Sequence, residues 1–381
     1  MKVLLIGNRE HQLLFNLIGE IKKSNDDFIF DILSQDSNNI NDVDLQVYNE
    51  IYTLNLPKIL LNNRFIRGVA KQLVFRRKIS NLFDVNYDFI HIHYIEDIIL
   101  RDIDFFVENI KSKLIVSVWG SDFLRADITK KEQMRKLFRI AHKITISNIL
   151  VANDFRMYYQ DESFCSNIEI VKFFVKPLND LIEGYKINNF EIAKEKLNIV
   201  QNKLVVTIGY NASKMQQHLL IFESLFNNIE FVTEYKDQIH FILPLTYPKD
   251  KVYISIIKDK LNYFNCSYSI FDTFLSNEEL LNLRYCSDIF IQLQTTDMMS
   301  GSMLEYLFLG NQVITGSWLP YNELKDNGVS FCEIDDIDQI GNVMNKLLKN
   351  KIYRVSENMK IIHQLFGRDI LIKKWAQTYE N

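Results

Sequence analysis

The stretch Gln294-Thr295-Thr296-Asp297-Met298-Met299-Ser300-Gly301-Ser302-Met303-Leu304-Glu305 holds the sharpest set of chemically useful side chains in this sequence. Ser300, Gly301 and Ser302 place small side chains and a permissive glycine where an apolar helix begins. A diphosphate can approach backbone N–H groups there without steric conflict. Glu305 follows about one helical turn later, where a carboxylate can accept hydrogen bonds from two ribose hydroxyls. Asp297, in the preceding loop, can hold sugar hydroxyls. The same spacing also suits a capping box between Ser302 and Glu305 that would stabilise only the helix. The two readings are compatible.

Three other loops could serve the same ligand. Gly209-Tyr210-Asn211-Ala212-Ser213-Lys214 follows a strand and enters a helix. Gly209, Asn211 and Lys214 there combine a flexible turn, backbone N–H groups and a compact positive charge suited to phosphate oxygens. The G-x-x-x-x-G-K-[ST] spacing of a P-loop is absent. His218, further on, reads equally as a surface helix residue. Thr246 and Tyr247, in Leu243-Pro244-Leu245-Thr246-Tyr247-Pro248, and Phe274, in Thr273-Phe274-Leu275-Ser276, could hold a base through backbone hydrogen bonds and an apolar wall. Both stretches could equally be plain connections.

In the first half, Gly7-Asn8-Arg9 ends the first strand without a G-x-G-x-x-G fingerprint. Phe89-Ile90-His91-Ile92-His93-Tyr94-Ile95-Glu96-Asp97 sets two histidines on one strand face, His93 nearer the strand end and His91 in a structural position. No third ligand stands at a supporting spacing, so no metal site is expected. Glu96 offers a carboxylate just beyond the strand. Asp122, in Val118-Trp119-Gly120-Ser121-Asp122, either caps a helix or accepts a proton at a cleft.

The elements that must position these residues alternate between strand and helix. Val3–Ile6, Phe28–Ile32, Phe89–His93, Leu114–Val118 and Ile144–Ser147 read as strands, with helices at Leu13–Lys23 and Lys130–Ile140. Short apolar strands joined by helices indicate a mainly parallel sheet covered on both faces, with ligands beyond the strand carboxyl ends. The pattern restarts after 179–201 with strands Leu204–Ile208, His240–Leu243, Tyr268–Ile270, Ile289–Leu293 and Gln312–Ile314. Its helices are Met215–Phe226, Lys251–Leu261, Asn277–Tyr285 and Ser302–Leu309. The expected organisation is an α/β domain over 1–178, a linker over 179–201 and a second α/β domain over 202–355. The segment 356–381 either caps the second domain or crosses back to the first.

The chain has 381 residues, 44 basic and 48 acidic, for a formal charge of −4. That balance argues against a general nucleic-acid binder. Four scattered cysteines suit reduced thiols in the cytoplasm, and neither a signal peptide nor a membrane span is legible. Residues 64–78 interleave cations with Phe65, Ile66, Val69 and Leu73. Such a helix either packs on the first domain with a solvated basic side or meets anionic headgroups at the inner membrane surface.

Together these residues resemble bacterial glycosyltransferases of the GT-B type, two Rossmann-like domains facing each other across a cleft. Asp297-x7-Glu305 followed by Gly310-Asn311-Gln312-Val313-Ile314 is similar to the acid–x7–acid signature of the retaining family numbered four, with aspartate where that family usually has glutamate. Tyr210 stands where that family usually has arginine, and Trp119 where it often has histidine. Gly209-Tyr210-Asn211-Ala212-Ser213 and Leu243–Pro248 look more like the inverting 4-acetamido-4,6-dideoxygalactose transferases of surface polysaccharide assembly. The resemblance implies a UDP-, GDP- or dTDP-sugar donor held by the second domain, Glu305 on ribose and Asp297 on the donor sugar. It implies no separate cofactor, and a glycan or polyprenyl-diphosphate-linked acceptor, as in O-antigen or lipopolysaccharide synthesis. If the reaction inverts, Asp122 or Glu96 is the expected base, with His93 nearby. A sugar-nucleotide 2-epimerase and a non-catalytic nucleotide-sugar-binding module are the alternatives.

Overall fold

The computed structural model describes residues 1–35, 42–55, 64–184, 190–199, 202–350 and 352–380. They divide into two compact units, Met1–Lys176 with Arg368–Asn381, and Pro177–Gly367.

Unit 1 is built on β1 (Lys2–Ile6), β2 (Ile29–Ser34), β3 (Ile51–Thr53), β4 (Phe89–His93), β5 (Lys113–Val118), β6 (Ala141–Ile146) and β7 (Ile168–Ile170). Their order is β3-β2-β1-β4-β5-β6-β7, every pair parallel. Helices cover both faces, so Val3, Leu4, Leu5, Ile90, Ile92, Ile115 and Val116 are all buried despite adjacent positions pointing to opposite faces. The order reverses direction between β1 and β4. That is the switch point beyond which open parallel sheets hold ligands.

Unit 2 repeats the plan with β8 (Leu204–Ile208), β9 (Ile239–Pro244), β10 (Ser267–Phe271), β11 (Ile289–Gln292), β12 (Gln312–Gly316) and β13 (Cys332–Ile334), ordered β10-β9-β8-β11-β12-β13. Phe222, Leu225, Phe241, Ile257, Ile291 and Met344 belong to its core. Its switch point lies between β8 and β11. The two units together therefore give the two-Rossmann-domain architecture of the GT-B type.

The expected strands form, Phe89–His93 and Leu204–Ile208 with the expected ends and the others with shifted ones, and β3, β7 and β13, each three residues long, were not expected. The helix expected over Met215–Phe226 is interrupted. Lys214–Gln216 makes a single 3₁₀ turn, Gln217 adopts a left-handed conformation (φ 58°), and the α-helix runs His218–Asn227. The stretch 179–201, read as a linker, falls in unit 2 and carries the end of a helix Lys176–Gly184 and a second helix Phe190–Lys196. Residues 185–189, 200 and 201 lie outside the described residues.

The segment beyond residue 355 is two helices. Ser356–Phe366 belongs to unit 2 and Arg368–Thr378 to unit 1. Gly367 joins them where an added Cβ would lie 2.6 Å from the His363 carbonyl oxygen, so a side chain there would force the junction open. The second helix buries Trp375, whose Nε1 donates to Lys172 O at 2.9 Å, and Arg368 pairs with Glu20. Tyr379 follows, buried among Phe28, Phe30 and Phe89, with its hydroxyl 2.7 Å from His91 Nδ1.

Candidate functional site

In unit 2 the loop after β11 leads into the helix Gly301–Phe308. Ser300 is its N-cap, its Oγ accepting from Met303 N at 3.2 Å. The third helical position is thus Met303, and the capping box expected between Ser302 and Glu305 does not form. Glu305 turns instead to Arg284, which donates from Nε to Oε2 at 2.6 Å while its Nη2 lies 3.3 Å from Ser302 Oγ. Both side chains are largely buried, 8% and 11% exposed. Burial alone would weaken Arg284's hold on its proton, and Glu305, together with Tyr306 and Tyr247, more than offsets this. The pair lines a pocket of about 220 Å³ with Pro177, Leu181, Asn277 and Leu281. A carboxylate fixed by a guanidinium on one oxygen, in a mainly apolar pocket, can receive hydroxyl donors on the other.

Asp297 accepts from the Tyr321 hydroxyl. Burial pushes its carboxyl upward, against the pull of hydrogen bonds from Tyr321, Met298 N, Gln294 and Ser300 N. Gln294 links this loop to the one after β8: its Oε1 accepts from Gln216 Nε2 at 2.9 Å and from the Tyr210 hydroxyl at 3.3 Å, and its carbonyl accepts from Trp318 Nε1 at 2.9 Å. Gly209 has φ +63°, and a Cβ there would meet Gln216 Oε1 at 2.9 Å and His218 Nε2 at 3.0 Å. Glycine is therefore required both by conformation and by the side chains packed over it.

Asn211 closes its own turn, Oδ1 accepting from Ser213 N at 2.9 Å. Lys214 extends into solvent, 75% exposed, with Asp250 at 3.7 Å. It stands on the 3₁₀ turn, not on the α-helix amino end expected there. His218 is wholly buried, against the surface position expected as one reading, and burial lowers its pKa to about 4. Thr246 is buried, whereas Tyr247 and Phe274 expose near-parallel rings with centroids 6.1 Å apart.

In unit 1, His91 is bound at both ring nitrogens, to Tyr379 and to Ser117 Oγ, each at 2.7 Å. His93 is equally buried but has no hydrogen-bond partner for either nitrogen, and burial depresses its pKa to about 3. It stays neutral at physiological pH. Among the described residues no three His, Cys, Asp or Glu side chains gather as for a metal ion, and the four cysteines are unpaired.

Tyr94, just past β4, adopts φ 69°, a strained value for a non-glycine residue. Beyond it opens a pocket of about 500 Å³ to which Glu96 and Asp122 contribute. Asp122 is occupied by the backbone, accepting from Trp119 N at 3.0 Å, Phe123 N at 3.1 Å and Ile95 N at 3.2 Å. It fixes the turn after β5 rather than presenting a free oxygen. Burial raises Glu96 to about 7, with Lys71 opposing and Asp97 assisting the rise. A carboxyl in that range can take or give a proton near neutrality.

The sequence reading missed Arg284, Tyr321, Gln294 and Gln216. For Arg284 there was a signal: it stands among Leu283, Tyr285 and Cys286, where a solvated arginine is out of place, and buried arginines need carboxylate partners.

Residues 2–153 match the model of the family described as glycosyl transferase 4-like. The match falls in the first half of the chain, whereas the motifs that carried the resemblance lie in the second. No curated protein matches the chain. Among solved structures, a glycosyltransferase from Rickettsia africae is similar with a TM-score of 0.73 and 13% identity, covering 100% of this chain and 97% of its own. Anabaena HepE in complex with UDP and glucose has a TM-score of 0.69 at 14% identity, covering 99% of both chains. Sucrose-phosphate synthase from Thermosynechococcus elongatus has a TM-score of 0.68 at 10% identity, covering 100% and 98%.

Proposed function

We propose that this chain is a glycosyltransferase that takes a sugar from a nucleotide-diphosphate donor bound by unit 2. The observation that carries the reading is the Arg284–Glu305 pair beside the amino end of Gly301–Phe308, with Asp297 held nearby by Tyr321. In this reading Glu305 receives the ribose hydroxyls, and the diphosphate lies against Ser300, Gly301 and Ser302. Asp297 holds the donor sugar. Lys214, Gly209 and Asn211 add to the phosphate site, and the exposed rings of Tyr247 and Phe274 beside Thr246 form a wall for the base. Charge developing on the leaving diphosphate is met by dipoles and cations already in place. The similarity to HepE, a structure with UDP and glucose bound, supports the assignment.

Unit 1 would receive the acceptor, a glycan or a polyprenyl-diphosphate-linked sugar of bacterial surface polysaccharide. Glu96 is the proton acceptor of choice if the reaction inverts, because the Asp122 oxygens are taken by backbone N–H groups and His93 is sealed from solvent. The helix Arg64–Phe83 supports a peripheral membrane position. Ala70, Phe75, Ile79 and Leu82 face the core, while Val69 and Leu73, 63% and 65% exposed, share the outer side with Arg67, Arg76 and Arg77. The side chains of residues 64–66 lie outside the described residues. No described helix is long and apolar enough to cross a membrane.

Calorimetric titration of the full chain with UDP-, GDP- and dTDP-sugars tests the donor assignment. One of them binds, and Glu305→Gln weakens it about tenfold, a carboxylate–hydroxyl bond being replaced by a neutral one. Equal affinity in the variant would remove the ribose role of Glu305.

A further inference from the structure

The pocket beyond β4 and β5 has a charge pattern that the transfer reaction itself does not call for. Lys71, Arg101 and Arg125 line it together with Tyr94, Glu96 and Asp122. Its negative groups are largely accounted for. Asp97 is paired with Lys130 at 2.8 Å, and the Asp122 carboxylate is satisfied by backbone N–H groups. Glu96 faces Lys71. Arg101 and Arg125, both exposed, have no carboxylate at ion-pair distance among the described residues. Two uncommitted guanidiniums at the rim of a cavity of about 500 Å³ are more than a neutral sugar needs. Their forked donors match phosphate oxygens. The cavity is of the size that holds small-molecule ligands. It sits beyond the carboxyl ends of β4 and β5 and beside the strained Tyr94.

From this geometry we infer that the pocket binds a phosphate-bearing acceptor, its anionic group held by Arg101 and Arg125 with Lys71 as a third cation. The inference rests on the transferase reading and narrows its acceptor to an anionic class. The phosphate can belong to a soluble sugar phosphate or to a lipid-linked diphosphate. The same helix that sends Lys71 into the pocket exposes Val69 and Leu73 on its outer side, where a lipid chain could follow.

The test is calorimetric titration of the full chain with inorganic pyrophosphate. A saturating nucleoside diphosphate, whichever of UDP, GDP and dTDP binds, is present to fill unit 2. One pyrophosphate site should remain, weakening as salt rises. The double variant Arg101→Gln/Arg125→Gln should weaken it at least tenfold without changing nucleotide affinity, and Arg101→Lys/Arg125→Lys should lose less. Absence of a site in the wild type, or equal pyrophosphate affinity in the double glutamine variant, overturns the proposal. A chain that binds pyrophosphate through these arginines but no nucleotide would instead sink the donor reading. Farnesyl diphosphate in detergent serves as the second probe. An affinity more than tenfold above pyrophosphate that falls in Leu73→Ser identifies a lipid-linked source, and equal affinity a soluble one; either result depends on the same arginines.

Discussion

Arg284 and Glu305 stand 21 residues apart, and each is the other's charge partner in a buried pair. Arg284→Gln leaves a carboxylate unpaired in a mainly apolar pocket, a loss of roughly 3–5 kcal/mol. Urea denaturation should show it as a lowered midpoint, while Arg284→Lys, which keeps the charge but not the fork, should fall between. Glu96 makes a prediction about pH. Its pKa rises from 4.5 to about 7 on folding because burial disfavours the carboxylate. The folded state therefore holds more protons than the unfolded chain across that interval, and this site's contribution to stability declines as pH rises from about 4.5 to 7. Glu96→Gln should remove that decline, which denaturation at pH 5 and pH 8 would reveal. If Glu96 is also the transfer base, kcat/KM should rise to a plateau above about pH 7 in the wild type and lose that limb in the variant.

At the level of elements, long apolar strands were legible because parallel sheets covered on both faces need unbroken hydrophobic runs. Val3–Ile6 and Leu204–Ile208 are of this kind. The edge strands β3, β7 and β13 were not, being too short for any period to emerge. The break at Gln217 was hidden for another reason. Met215 to Phe226 carries a continuous apolar period, and the left-handed turn is accompanied by a tertiary bond from Gln217 Nε2 to Leu293 O, 2.6 Å. The same distance in sequence concealed the relay from Gln216 through Gln294 to Asp297, since glutamine has no signature of its own. Gly209 was legible as a turn, though not its tight cover. Gly209→Ala adds a Cβ against Gln216 and His218 at positive φ, and should cost about 1–3 kcal/mol and weaken nucleotide binding, read by thermal melts and calorimetry. For the helix Arg64–Phe83, replacing Arg76, Arg77 and Lys78 with glutamine should reduce sedimentation with vesicles containing phosphatidylglycerol, by about 1 kcal/mol per cation near the surface. Unchanged sedimentation would leave that helix a packed element with a solvated basic side.

For the molecule as a whole, two Rossmann-like units were readable from the restart of the strand–helix alternation, but the ownership of the final helices was not. Amphipathic helices look alike wherever they dock. Trp375 decides the matter by its burial and by its bond to Lys172 O. Trp375→Ala should cost roughly 3–5 kcal/mol, the price of an emptied aromatic site. The loss should fall on unit 1, with nucleotide affinity retained by unit 2 at temperatures below its own transition.

Because Arg368–Thr378 belongs to unit 1, a polypeptide leaving the ribosome must present all of Pro177–Gly367 before the first unit can be finished. Until then the surface bearing Phe28, Phe30, Phe89, His91 and His93 has no cover from Trp375 and Tyr379. Newly made chains thus carry an adhesive apolar face through about half of their elongation. Any interruption of translation short of that helix would release a product inclined to aggregate, so chaperone demand should be greatest for nascent chains stalled just before residue 368.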